Sequence, residues 1–152
     1  AEFKARFGAP QAVNALPVLN GFGELLREAR AGADLPELAF EAKATVCKYA
    51  VPDGYPTDPE AGAPVRIDEE SAAEAGARLF YASVDAREDG VYTTTSRSFG
   101  VVGIADDIAA AEELAAAALA AAGEEGLRVR HDIGTADLLQ KRIDHMNELR
   151  GR

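Results

Sequence analysis

The alanine-rich run from Ile108 to Ala122 constrains this chain more than any other segment. It opens on Asp106 and Asp107 and stops at Gly123 and Gly126. Carboxylates at a helix start oppose the positive end of the helix dipole, and glycines close helices. The periodic Leu114 and its partner alanines fit a helix packed on a sheet. The sheet itself is legible upstream. Residues 44–51 carry the β-branched and aromatic side chains of a strand, and residues 78–84 carry another. Glu88-Asp89-Gly90 is a hairpin signal, with residues 91–95 as the returning strand. Residues 98–105 form an apolar strand, and residues 128–131 a short last one. Strands clustered together and then followed by helices predict an α+β fold, mainly an antiparallel sheet with flanking helices.

Three further helical segments are expected. Asn20 caps a helix over residues 24–31 that Gly32 ends, and a second helical turn covers residues 36–42. Thr135 caps a final amphipathic helix with Leu138, Leu139, Ile143, Met146 and Leu149 on one side and His145 on the solvated face. The texture changes at Lys43. Two domains are therefore expected, residues 1–42 and residues 43–152. The chain opens within an element and without an initiator Met, so it reads as the C-terminal piece of something larger.

Composition narrows the partners. The 152 residues carry 26 acidic and 16 basic side chains, a net charge of −10. Such a balance opposes binding of nucleic acid through a basic face, and it opposes an anionic membrane surface. No apolar run approaches a bilayer span. Lysine supplies only four of the basic residues. That bias points equally to a salt-adapted cytoplasm and to a GC-rich genome, and a cytoplasmic location is expected. Cys47 is the only cysteine, which excludes an internal disulfide. Between Val46 and Tyr49 in a strand it reads as a small buried hydrophobe rather than a nucleophile.

Four segments carry candidate chemistry. The first runs from Glu2 to Gln11, where Glu2, Lys4 and Arg6 share one face of a short strand that enters a Gly8–Pro10 turn. The second is Gly54-Tyr55-Pro56, inside the turn-rich loop 52–59. Its glycine admits close backbone approach, its prolines stiffen the loop, and Tyr55 can stack or hydrogen-bond. In the third, Thr93-Thr94-Thr95-Ser96-Arg97-Ser98, hydroxyls and one guanidinium can hold an anion. The fourth is Arg130-His131-Asp132-Ile133-Gly134-Thr135, in which Asp132 and Gly134 shape the entry to the last helix. No His or Cys spacing suits a metal. There is no Walker loop, no dinucleotide fingerprint, and no nucleophile with a positioned base.

These four segments together resemble glycinamide ribonucleotide synthetase (phosphoribosylamine–glycine ligase), an ATP-grasp enzyme family. Glu2, Arg6, Phe7, Gly8 and Pro10 match the end of its ATP-grasp module. Lys4, Ala9 and Gln11 stand where that family has Asn, Asp and Glu. Asn14-Ala15-Leu16-Pro17-Val18-Leu19, the Gly-Tyr-Pro loop, the turn before Arg97 and the Asp-Ile-Gly-Thr segment match as well. The resemblance implies the C-terminal domain of an ATP-grasp ligase, preceded by the end of the ATP-grasp module over residues 1–42. It implies a reaction that joins glycine to 5-phosphoribosylamine through glycyl phosphate, in purine biosynthesis, while ATP is split to ADP and phosphate. ATP and Mg²⁺ are the implied cofactors, with Mn²⁺ as an alternative ion.

The resemblance also implies roles residue by residue. Glu2 is a metal ligand. Lys4 cannot ligate a cation and would instead meet a phosphate. Arg6 is the catalytic candidate and holds the glycine carboxylate or the transferring phosphoryl group. Gly8, Gly54, Tyr55, Pro56 and Arg97 border the substrates, with Arg97 on the phosphoribosylamine. A chain missing the N-terminal ATP-grasp portion is expected to be inactive alone. The three departures at Lys4, Ala9 and Gln11 keep one alternative open: a free-standing, non-catalytic remnant that binds a phosphorylated sugar or a partner protein.

Overall fold

The computed structural model describes residues 7–151. The candidates Glu2, Lys4 and Arg6 lie outside the described residues. The chain divides into two compact units, Ala1–Lys43 and Ala44–Arg152.

The described part of the first unit is small and thinly packed. It holds helix α1 (Gln11–Ala15), a 3-10 turn (Leu16–Val18), strand β1 (Leu19–Asn20), helix α2 (Phe22–Ala31) and strand β2 (Ala39–Phe40). β1 and β2 pair antiparallel, Leu19 opposite Phe40. The Phe7 and Phe22 rings meet edge-on with centroids 6.4 Å apart. The expected helix is present but starts at Phe22, and Gly21 rather than Asn20 occupies its cap. Asn20 is spent on the β1 ladder instead. The helical turn expected over residues 36–42 is absent. Ala39 and Phe40 are extended there, because Asn20 and Leu19 offer them a ladder that an isolated turn lacks.

The second unit is built on one central strand. β3 (Ala44–Pro52) pairs antiparallel with β8 (Phe99–Ala105) and with β9 (Leu127–Val129), and β5 (Arg78–Tyr81) completes a four-stranded sheet in the order β5-β8-β3-β9. A separate three-stranded antiparallel sheet runs β4 (Pro64–Val65), β7 (Gly90–Thr93) and β6 (Val84–Arg87). The segment expected as one strand over residues 78–84 is therefore two strands in two sheets. The chain leaves the first at Ala82 and Ser83, whose amides bond the carbonyls of Ser98 and Arg97, and enters the second at Val84. The Glu88-Asp89-Gly90 hairpin forms as read, with Arg87 opposite Gly90.

Helix α4 (Ile108–Ala122) covers one face of the four-stranded sheet. Asp107 caps it, its carboxylate accepting the Ala110 amide at 2.8 Å. Ala111, Ala115, Ala118 and Ala122 fall three or four apart, so they share one face, and all are buried. Their small size lets the helix backbone reach the sheet. A Cβ on Gly103 would sit 1.9 Å from the Ala111 carbonyl oxygen, so only glycine fits at that crossing. Alternate β3 and β8 residues point at the helix, and there Val46, Ala50, Phe99 and Val101 join Leu119 in the core. Burying side chains the size of Phe99 and Leu119 contributes about 1.5–3 kcal/mol each. A short helix α3 (Glu69–Glu74), capped by Asp68, adds buried Ala72 to this layer.

Lys48 interrupts that apolar face. It sits between Val46 and Ala50 and is 1% exposed. Its ammonium donates to Glu112 Oε1 of α4 and, at 2.7 Å, to the carbonyl oxygen of His131. A buried charge needs such partners. The segment after β9 is fixed by the same tie and by Gly134. That residue has φ +86°, and a Cβ there would meet Val46 at 2.8 Å. Thr135 then caps the last helix, α5 (Ala136–Arg150). Leu138 and Leu139 are half-buried, whereas Ile143, Met146, Leu149 and His145 are exposed.

Candidate functional site

The face of the four-stranded sheet away from α4 has a different chemistry. Strand register puts Cys47, Tyr49 and Val51 of β3, Gly100 and Val102 of β8, and Arg78 and Phe80 of β5 on it. The loop after Pro52 leaves β3 at the end where Arg97 enters β8, on neighbouring strands. Register therefore brings Gly54-Tyr55-Pro56 and Arg97 to one end of the sheet. Arg128, opposite Val51, reaches the same end and lies 3.7 Å from Asp53.

Arg97 is the uncommitted cation of this end. It is half-buried, and its guanidinium carbon lies 5.1 Å from the centre of the Tyr49 ring. It has no ion pair with any described residue. Neighbouring groups leave that charge standing. Burial pushes the Cys47 thiol up to about 12, against the pull of Arg97. Burial, then Cys47, raises the Tyr49 phenol while Arg97 opposes the shift. Both stay neutral at ordinary pH. The thiol is shielded and protonated, which fits its reading as a small hydrophobe.

Thr93 and Thr94, two of the hydroxyls expected beside Arg97, are spent within the chain. Thr93 Oγ1 accepts the Ala63 amide and donates to the Glu60 carbonyl at 2.8 Å. Thr94 Oγ1 bonds the Ser83 carbonyl and hydroxyl and accepts the Ser96 amide. They shape the turn that carries Arg97 rather than offering free donors. Thr95, Ser96 and Ser98 spend no hydroxyl in this way, and that of Ser98 is buried with no hydrogen-bond partner among the described residues.

The Gly-Tyr-Pro loop is closed by its own backbone. The Gly54 carbonyl accepts the amides of Thr57 and Asp58. Gly54 has φ +73°, and a Cβ there would lie 1.9 Å from the Asp58 carbonyl oxygen. The room this glycine leaves is filled by the chain itself, and the turn presents Tyr55 and Pro56. Tyr55 is half-buried, and its phenol makes no hydrogen bond among the described residues. In the first unit, Gly8 is half-buried and its carbonyl accepts the Ala12 amide.

The Asp-Ile-Gly segment is a structural joint. Asp132 takes two hydrogen bonds from Arg130, through Nε at 2.7 Å and through Nη2. Those bonds hold its carboxyl below the ordinary range. The exposed His131 ring sits 3.1 Å from Glu124. Among the described residues, no group of three or more His, Cys, Asp and Glu side chains is placed to hold a metal ion. No helix among them is long and apolar enough to cross a membrane.

The tie from Lys48 to Glu112 and His131 was not anticipated from sequence. The available signal was a lysine at the centre of an apolar strand, in phase with Val46 and Ala50. In sequence, Tyr49 likewise reads only as one aromatic of the strand over residues 44–51.

Comparison with known proteins agrees with this fold. Over 153 residues the chain is 48% identical to a phosphoribosylamine–glycine ligase of Methanosarcina barkeri, covering 99% of this chain and 34% of that protein. It is 47% identical to the ligase of Methanocaldococcus jannaschii over 98% of this chain and 34% of that protein. The chain thus spans about a third of the length of these relatives. A crystal structure of phosphoribosylamine–glycine ligase from Thermotoga maritima superposes with a TM-score of 0.71, covering 86% of this chain and 32% of that one. At 22% identity that likeness speaks for the fold. Residues 45–136 match the family described as phosphoribosylglycinamide synthetase, C domain. By that match, and with the central strand, the Gly-Tyr-Pro loop, Arg97 and the Asp-Ile-Gly joint all inside it, this chain belongs to the phosphoribosylglycinamide synthetase C-domain family.

Proposed function

We propose that this chain is the C-domain part of an ATP-dependent ligase that joins glycine to 5-phosphoribosylamine in purine biosynthesis, in the cytoplasm. The observation that carries the reading is Arg97. Within a matched family domain it is a half-buried guanidinium at the sheet end beside the Gly-Tyr-Pro loop, without a carboxylate partner among the described residues. A guanidinium so placed offers a fork of N–H donors to a phosphate. Its role is to bind the phosphate of phosphoribosylamine, with Tyr55 and Pro56 on their loop bordering the same substrate. Gly54 acts by closing that loop, and Gly8 by forming the turn that follows Arg6.

Residues 1–42 belong, in this reading, to the end of the ATP-grasp module. Arg6 holds the glycine carboxylate or the transferring phosphoryl group. Glu2 supplies oxygen to Mg²⁺, or to Mn²⁺ in its place. When bound, the ion would offset the negative charge of the ATP phosphates. The described residues offer no donor cluster for it. Its remaining ligands and most of the ATP site are therefore assigned to the rest of the protein. Lys4 meets a phosphate rather than the ion.

The test is Arg97→Ala in the full-length protein. KM for phosphoribosylamine is expected to rise while KM for ATP holds. Equal KM for phosphoribosylamine in mutant and wild type removes Arg97 from the site. The 152-residue chain alone is expected to show no turnover of ATP, glycine and phosphoribosylamine.

A further inference from the structure

Tyr49 lies on β3 directly opposite Gly100 of β8. A Cβ added to Gly100 would come 3.0 Å from Tyr49 Cε1, 3.1 Å from Cδ1 and 3.3 Å from Cζ. The ring therefore lies along the sheet over the glycine instead of standing away from it. A ring held in this way presents a fixed π surface, and the Arg97 guanidinium sits over it at 5.1 Å. No described residue gives Arg97 a carboxylate anchor, so the ring is the group that restrains it.

We infer that Tyr49 is a positioning residue, with Gly100 making room for its ring, and that this platform presets the Arg97 guanidinium for an incoming anion. The inference rests on the reading of Arg97 as the anion contact. Its physical basis is entropy. A free arginine side chain has many rotamers, and each is lost when an anion is gripped. Stacking on an aromatic ring removes part of that loss in advance and leaves the planar fork of donors facing outward. The ring neutralises nothing, unlike a carboxylate partner, so the full positive charge remains for the ligand. The neutral Cys47 thiol beside it leaves that charge intact as well. Glycine at position 100 is thereby explained by the site rather than by the strand, where glycine is otherwise a weak choice.

The test uses the full-length protein with ribose 5-phosphate as the probe. Dissociation constants are compared for wild type, Arg97→Ala, Tyr49→Leu, Tyr49→Phe and Gly100→Ala. The Arg97 side-chain N–H resonance is followed in parallel by NMR. Tyr49→Leu is expected to weaken binding roughly three- to ten-fold, the scale of one partly buried cation–π contact. Tyr49→Phe keeps the ring and is expected to stay within about two-fold of wild type by the same argument. Gly100→Ala displaces the ring and falls between the two. In Tyr49→Leu the Arg97 resonance loses its ring-current shift, which Tyr49→Phe retains. If Arg97→Ala weakens binding while Tyr49→Leu binds like wild type, the platform is overturned and the Arg97 contact stands. If Arg97→Ala binds like wild type, the underlying reading fails. An Arg97 resonance that is the same in Tyr49→Leu and wild type overturns the platform whatever the affinities are.

Discussion

The two faces of the four-stranded sheet are made by the same strands and have opposite designs. Toward α4, alternate residues are Val46, Ala50, Phe99 and Val101, closed by the alanine stripe of the helix to near-zero exposure. Away from it Cys47 and Val102 are buried too, but Tyr49, Phe80 and Arg78 stand beside them and Arg97 lies over the Tyr49 ring at the end. A one-residue step along β3 changes the chemistry completely, because the side-chain period of a strand is two. Even the glycines differ. Gly103 admits a helix backbone, while Gly100 admits an aromatic ring. The helix-covered face carries the larger apolar cluster, and the proposed anion contact lies on the other.

That contrast breaks first at Gly103. Gly103→Ala forces a methyl against the Ala111 carbonyl, and denaturant unfolding is expected to show a loss of about 3 kcal/mol or more, at the high end for an overpacked core. A loss under about 1 kcal/mol, below the usual range for overpacking, would mean the helix can back away and the close crossing is not a constraint.

Lys48 sharpens the comparison, since it is a charge on the apolar face. Lys48→Met removes one partner of a buried pair, and about 3 kcal/mol of stability is expected to go, the lower end for such a change because Glu112 reaches water. Adding Glu112→Leu should recover most of it, as an apolar replacement of the whole pair is often neutral. If the double variant is as unstable as the single, the His131 carbonyl, not the ion pair, is what Lys48 holds in place.

The smallest effect belongs to the other face. Arg97→Ala should shift unfolding free energy by less than about 0.5 kcal/mol, as for substitutions away from the core, even as anion binding falls. A large stability loss there would merge the two faces into one structural unit.

Much of the stable face was legible in the sequence. The alanine run with acids before it and glycines after it could hardly be anything but a helix on a sheet, and Ala44–Pro52 and Phe99–Ala105 are apolar enough to be its central strands. Locally short features were not legible. Pro64–Val65 and Ala39–Phe40 are two-residue ladders that exist only because a distant partner is nearby. The break between β5 and β6 is set by bonds from Ala82 and Ser83 to residues 98 and 97, which local composition does not encode. At the candidate site, Arg97 could be picked out as a cation among hydroxyls. That Thr93 and Thr94 spend those hydroxyls internally, and that Tyr49 is the group under the guanidinium, depends on strand pairing. Glu2, Lys4 and Arg6 lie outside the described residues, and of the three only Glu2 and Arg6 match the family motif that implies their roles.

Lys48 has a consequence for the newly made chain. Its partners are 64 and 83 residues further along, so the ribosome delivers the strand long before either exists. Until then the ammonium must stay hydrated, and a hydrated charge in the middle of Val46–Val51 keeps that strand from pairing with a neighbour of its own kind. The same nitrogen that later ties together a strand, a helix and a loop thus first acts as a guard against aggregation. It gives up its water only once the chain through His131 is present to replace it.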